Sequence, residues 1–366
     1  MAWLCRVHHD GFMTDTSKAE AKLAAIAERY AAKPTSSHVN VAMSIPCVGW
    51  EWSWREPSAP APYFIASTTK LFTVAIVLQL RAEGKLALTD PVVKHLGDDT
   101  MTGLHSFGGR DYSREITIEQ LLAHTSGLPD YFEGKRADGS TLFADIVKAD
   151  RTWDPEFALA SAKDMTPHFA PGTPGKALYS DTNYQLLGTL IEVVGEQAYR
   201  DALQARIFEP LGLSETYLYD HSTHDRFGEI ASMKYGKEPF PIPQAMASFG
   251  ADGSIVSTAP EQVAFLEAFM NGRLFPAADL HELTAQWRRI FYPLQYGTGI
   301  MRFALPRFMS PFQAAPEFIG HSGASGAVLF HVPAQDLYVA AYVGQVKQRS
   351  MVYQLMSYLA NKAPRA

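Results

Sequence analysis

The chain is poor in the features that mark several large classes of protein. Its 366 residues include two cysteines, Cys5 and Cys47. Two are too few for a disulfide framework or a cysteine-based metal cluster, and they suit a reducing compartment. There is no run of lysine and arginine, and the net charge is −6. Phosphate backbones and anionic surfaces are therefore poor partners, so neither nucleic acid nor membrane is expected. Thr73 and Gln79 interrupt the longest apolar stretch, which falls short of the roughly 18 residues that cross a bilayer. Residues 1–9 contain no apolar core of the kind a secretory signal needs, so a cytoplasmic location is expected. Met13 is an equally good start, and no function is assigned to the first dozen residues. His221 and His224 sit in a polar stretch without H-E-x-x-H spacing or an evident third ligand; neither a metal nor a cofactor is expected.

Apolar residues are plentiful, at 47%, enough for a large core and two subdomains. Against that background Ser67-Thr68-Thr69-Lys70 stands at the mouth of the apolar run from Leu71 to Leu80. A helix brings residues three apart onto one face, so the Ser67 hydroxyl and the Lys70 amine lie side by side. A serine hydroxyl is a weak nucleophile at neutral pH, and an adjacent amine whose pKa burial has lowered is one of few groups able to take its proton. The run is apolar nearly all round, which predicts a central buried helix stopped by Glu83-Gly84. Ser67 then lies at its N-terminal end, where free N–H groups and the dipole favour a developing oxyanion.

The rest of the chain reads as β, a helical middle, then β again. Residues 38–55 alternate as two strands around Pro46, with Trp50, Trp52 and Trp54 on one face as core beneath a helix. Prolines 129, 155, 167, 171, 174 and 210 break the stretch from Leu86 to Tyr235 into short helices and loops. Strands are expected at 296–304, 317–321, 327–332 and 337–343, followed by a helix over 348–361. The first and last parts share one sheet in this reading. It gives a tail and helix over 1–37, a sheet domain over 38–95 and 236–366, and an inserted helical domain over 96–235. A site is expected in the crevice between the last two.

Ser67-Thr68-Thr69-Lys70, Tyr179-Ser180-Asp181 and His321-Ser322-Gly323 stand in the order of the three motifs of serine β-lactamases and penicillin-binding proteins. The stretch from Ile116 to Pro129, with its His124-Thr125-Ser126-Gly127, resembles the class C β-lactamase-like serine hydrolases. So do Pro171-Gly172-Thr173-Pro174-Gly175, Pro210-Leu211-Gly212-Leu213 and Ser254-Ile255-Val256-Ser257-Thr258. The resemblance covers roughly residues 38 to 362. It implies an α/β fold with an antiparallel sheet flanked by helices on both faces, plus an inserted, mainly helical domain. It also implies that Ser67 forms an acyl-enzyme, and that Lys70 and the Tyr179 hydroxyl share the proton transfers. The oxyanion would be held by the N–H groups of Ser67 and Ala324, with His321, Ser322 and Gly323 flanking the pocket.

Two departures bear on substrate. Asp181 stands where the family usually has Asn; a carboxylate there favours protonated Lys70 and shifts the base role towards Tyr179. His321 stands where Lys is common, and histidine captures a substrate carboxylate less well at neutral pH. Neutral short-chain esters are therefore the expected substrates, and a carboxylesterase the expected enzyme. The alternatives are a D-alanyl-D-alanine carboxypeptidase or D-aminopeptidase, a weak β-lactamase, an acyltransferase, or a non-catalytic penicillin-binding sensor. Tyr131 and Phe132 are assigned either to an aromatic pocket wall or to the core. The near G-x-S-x-G at Gly320–Ala324 lacks its last glycine and the downstream acid and histidine order of α/β-hydrolases. Ser126 has no lysine at catalytic spacing and reads as loop-shaping, and Gly297-Thr298-Gly299 reads as part of a strand.

Overall fold

The computed structural model describes residues 16–305 and 316–365; Cys5 and the N-terminal tail lie outside the described residues. Helix α1 (Thr16–Ala31) buries Leu23, Ala27 and Tyr30, which helical spacing puts on one face. Strands β1 (Asn40–Ile45) and β2 (Trp50–Arg55) follow, joined by a tight turn over Pro46–Val48 and by Gly49 at φ +63°. In β2, Trp50 is buried and Trp52 and Trp54 half-buried. The Trp50 indole N–H donates to Glu20 Oε1 of α1 at 3.0 Å, so the indole stripe is sheet packing under a helix.

Helix α2 (Thr69–Ala82) buries every residue from 69 to 78 and stops before Gly84, at φ +73°. It is the central helix expected from the apolar run. Beyond it lie α3 (Asp181–Gly195), α4 (Ala259–Met270), β3 (Arg288–Phe291), β4 (Leu294–Tyr296) and β5 (Met301–Phe303). The chain closes with β6 (Phe318–Gly323), β7 (Ala327–Val332), β8 (Leu337–Tyr342) and α5 (Ser350–Ala360).

The eight strands form one antiparallel sheet in the order β3-β4-β5-β6-β7-β8-β1-β2. Pairing of β1 with β8 joins the two ends of the chain in it. Alternate residues supply its two faces. Val41 and Met43 pack with α1 and α5 on one side, whereas Ala42, Leu329 and Ala340 pack with α2 and α4 on the other. The helical middle leans on α2 from the far side, and Leu121, Leu186 and Leu190 share one core with it. A small second sheet of Tyr63–Phe64, Ile255–Ser257 and Tyr217–Leu218 ties the segment before Ser67 to distant parts of the chain.

One strand assignment changes. The stretch 296–304 is not a single strand: β4 and β5 are antiparallel neighbours, and Gly297-Thr298-Gly299 is the reversal between them. Gly299 sits at φ +83°, and a Cβ on Gly297 would lie 2.2 Å from the Leu283 carbonyl oxygen. These glycines therefore answer a turn and a close backbone approach, which alternation alone does not reveal. The arginine-bearing edge strand β3 gave no apolar signal and was not expected.

Candidate active site

Ser67 lies in a 3-10 turn, Ala66–Thr68, that runs straight into α2. Ala66 has φ +46°, an unusual conformation for a residue with a Cβ, and it marks the sharp bend that presents Ser67. The bend is held by the small sheet: the Ile65 N–H donates to the Ile255 carbonyl at 3.0 Å. The Ile255 N–H in turn donates to Thr69 Oγ1 at 3.1 Å.

One turn on, Lys70 is fully buried. Its Nζ donates to the Asp252 backbone carbonyl at 2.7 Å and to Ser67 Oγ at 3.3 Å, and it pairs with Asp181 Oδ1 at 2.7 Å. Burial alone would push its pKa down; the acidic groups around it, Asp181 first, outweigh that and raise it. Lys70 is therefore an ammonium with all three donors engaged.

The second group comes from the start of α3, where Tyr179 and Ser180 precede the helix and Asp181 begins it. The loop before Tyr131 fixes this end. Ser180 Oγ and Thr182 Oγ1 donate to the Pro129 carbonyl at 2.9 and 2.7 Å, and Ser126 Oγ donates to Asn183 Oδ1 at 2.7 Å. Ser126 thus shapes a loop. The Tyr179 hydroxyl is buried and faces the polar groups of Ser67 and Lys70, and its ring centre is 5.2 Å from Lys70 Nζ. Burial raises its pKa above the usual phenol value even though Lys70 pulls it down. It is a proton-bearing phenol.

The third side is the edge formed by β6. A Cβ on Gly323 would lie 2.1 Å from the Ile65 carbonyl oxygen, so only glycine lets this strand approach the Ser67 turn. Ser325 Oγ, in the turn after β6, donates to the Phe64 carbonyl at 2.7 Å. Between these two anchors Ala324 borders the same cavity as Ser67.

That cavity, about 1150 Å³, is lined by Ser67, Tyr179, Asp181, Ser322, Gly323 and Ala324, with apolar side chains from two hydrophobic clusters. Its charged lining groups already have partners among the described residues. Arg349 pairs with Glu133, and Asp181 with Lys70. Asp130 accepts from the N–H groups of Phe132, Glu133 and Asp181. Asp252 Oδ2 accepts from the Tyr131 hydroxyl and Gln185 Nε2, both at 2.9 Å. Burial, with the Asp181 charge added, raises the Asp252 pKa strongly and brings that of Asp130 to about 7.

Two expected positions are corrected. His321 does not flank the cavity; it is fully buried behind it, Nδ1 donating to the Ser322 carbonyl at 2.8 Å and Nε2 accepting from the Tyr296 hydroxyl at 3.0 Å. Burial, with the Lys70 charge nearby, lowers its pKa to about 3, so it carries no partial charge at neutral pH. Tyr131 does not form the pocket wall either. It is fully buried on Asp252, whereas its neighbour Phe132 reaches the cavity.

Two groups had no assigned role. His124, at φ +54°, accepts at Nδ1 from the Ser180 N–H and Asn183 Nδ2, at 3.2 and 3.0 Å, and its ring lies 4.4 Å from that of Tyr179. It lay within a quoted motif, the one signal available. Asp252 binds Lys70 through its backbone carbonyl, which no residue type announces.

An antiparallel sheet with helices on both faces and a Ser–Lys pair at the head of the buried helix define the serine β-lactamase and penicillin-binding-protein-like class. The beta-lactamase family model matches residues 52–357, and the chain belongs to that family, whose members are serine hydrolases. Penicillin-binding protein 4 of Amycolatopsis lactamdurans is 28% identical over 214 residues, 57% of this chain and 51% of that protein. The chain spans between 31% and 66% of the length of the curated relatives it matches. A D-stereospecific amidohydrolase from Streptomyces sp. superimposes with TM-score 0.69 at 25% identity, covering 93% of this chain and 98% of that one. EstCE1, a hydrolase with promiscuous acyltransferase activity, superimposes with TM-score 0.73 at 16% identity, covering 93% and 98%; it shows the shared fold.

Proposed function

We propose that this chain is a carboxylesterase working through an acyl-enzyme on Ser67, with neutral esters as substrates. The observation that carries the reading is the charge balance of the cavity. Each charged group described in its lining has an internal partner, and His321, at the position suited to a carboxylate-capturing cation, is buried and neutral. A substrate carboxylate would lose its hydration without gaining a counter-ion, a cost a neutral ester avoids.

The proton path follows from the partners of Lys70. As Ser67 Oγ bonds to the ester carbonyl carbon, its proton passes to Lys70, which hands one of its own to Asp181. Lys70 ends as an ammonium, Asp181 as a carboxylic acid, and the negative charge sits on the carbonyl oxygen facing the Ser67 and Ala324 N–H groups. The proton returns through Lys70 and the Tyr179 hydroxyl to the alkoxide as the ester bond breaks. Water then hydrolyses the acyl-enzyme by the same path.

Amide hydrolysis is the second reading. It is favoured by Lys70 and Tyr179 both holding protons near neutral pH, because an amine must be protonated to leave. The deciding experiment is steady-state hydrolysis of p-nitrophenyl butyrate by the wild type and Ser67→Ala, alongside D- and L-phenylalanine amide. Ester turnover lost in Ser67→Ala is the expected result. Turnover that survives in Ser67→Ala removes Ser67 from the chemistry, and turnover of the amides alone replaces the esterase reading with an amidase.

A further inference from the structure

We propose that the cavity divides its substrate at the scissile bond, with a short apolar acyl group against one wall and a long apolar alcohol along the other. The inference rests on the esterase reading and names its substrate class.

The two walls belong to separate hydrophobic clusters. Phe132, Met233, Phe240 and Phe249 come from the cluster that joins the helical middle of the chain to the segment after it, up to Val256. Met301, Phe303 and Tyr353 come from the cluster between the sheet and α5. Tyr179 packs with this second cluster, and its ring lies 6.1 Å from that of Phe291 at the end of β3. The departing alkoxide collects its proton from the Tyr179 and Lys70 side, so the alcohol leaves along the sheet-side wall. The acyl group, still bonded to Ser67, is left to the opposite wall.

The walls end differently. Phe132, Met233, Phe240 and Phe249 are each less than a tenth exposed, which closes the acyl side. On the alcohol side, Phe291, Tyr292 and Tyr358 line the cavity and are 49%, 55% and 50% exposed. Among the described residues one other large hydrophobic, Val193, is as exposed. Apolar surface left in water is therefore concentrated where this wall opens. An alkyl chain lying over it removes apolar area from water, with an upper limit of about fourfold in affinity per covered methylene. The paired charges of the cavity exclude an ionised group from both halves.

The test crosses two ester series: p-nitrophenyl esters from acetate to decanoate, and butyrate esters of alcohols from methanol to octanol followed by pH-stat. The expected kcat/KM falls beyond a medium acyl chain and rises with alcohol length. In Phe291→Ala the octyl-to-methyl ratio falls about tenfold, and in Phe249→Ala the acyl limit moves to longer chains. A rise with acyl length, or one variant shifting both series alike, overturns the inference. If neither series is turned over, the esterase reading fails on its own, and calorimetry with 1-octanol then tests the wall without turnover. Octanol bound about tenfold more weakly by Phe291→Ala supports the inference; equal affinity, or no binding to the wild type, overturns it.

Discussion

Lys70 and His321 both lie close to the Tyr179 ring, and both are fully buried, yet one is held charged and the other neutral. Burial penalises the charged form of each equally in kind. Lys70 escapes because Asp181 lies 2.7 Å from its Nζ and a carbonyl takes another donor. His321 has only a carbonyl, a tyrosine hydroxyl and the repelling charge of Lys70 around it. A counter-ion keeps one buried base ionised, and its lack, added to the lower intrinsic pKa of imidazole, leaves the other neutral. A second contrast sits within the acids: Asp181 faces the ammonium directly, whereas Asp252 offers it a backbone carbonyl and turns its own carboxyl towards Tyr131 and Gln185.

Removing the cation should have the largest effect. Lys70→Ala leaves the Asp181 carboxylate uncompensated and takes away the proton path, and kcat/KM should fall by about 10³-fold or more. Retained activity in p-nitrophenyl butyrate assays would break the contrast at its root.

Asp181→Asn should come next, with kcat/KM about 10²-fold lower at pH 7. Without the carboxylate, burial lowers the Lys70 pKa, and the variant works only with neutral lysine. Its activity should therefore be lost as pH falls through that value, placing the acidic limb of the pH–rate profile at higher pH than in the wild type. An unmoved limb would remove Asp181 from the proton path.

His321 sharpens the comparison through stability. Its folded pKa of about 3 lies below the unfolded value near 6.5, so the unfolded chain binds the extra proton between them. Stability should fall as pH drops from 6.5 towards 3, with His321 contributing roughly 1 kcal/mol per pH unit. Urea denaturation of wild type and His321→Gln at pH 7 and 5 should show a shallower pH slope in the variant. A steeper or equal slope would mean that His321 is charged in the folded protein.

The smallest effect is expected from Asp252→Asn. Its carboxyl is turned towards Tyr131 and Gln185, contacts an amide can partly replace, and the carbonyl that holds Lys70 is untouched. Activity on p-nitrophenyl butyrate should stay within about threefold. A loss as large as that of Asp181→Asn would make the two acids equivalent.

The sequence made parts of this site legible and hid others, for identifiable reasons. Ser67 and Lys70 were visible because a one-turn spacing survives any tertiary arrangement. The central helix was visible because its run from Leu71 to Leu80 is apolar apart from Thr73 and Gln79. Tyr179 and Asp181 were legible through motif order. The reversal at Gly297–Gly299 is hidden because alternation says nothing of close approach, which here comes from the Leu283 carbonyl and the Val74 side chain. Tyr131 and Phe132 looked alike in sequence; adjacent positions point apart, and one met Asp252 while the other met the cavity.

By itself the sequence determined the pairing of Ser67 with Lys70 and the order of elements that carries them, since these depend on residue type and local spacing. Only the tertiary structure decided which base is charged, which glycine admits the strand beside Ser67, and which apolar residues face the cavity. Those outcomes depend on contacts between residues far apart in the chain, such as Gly323 and Ile65 or Lys70 and Asp252. Burial and charge pairing act through space, and their effects are set only when such segments meet.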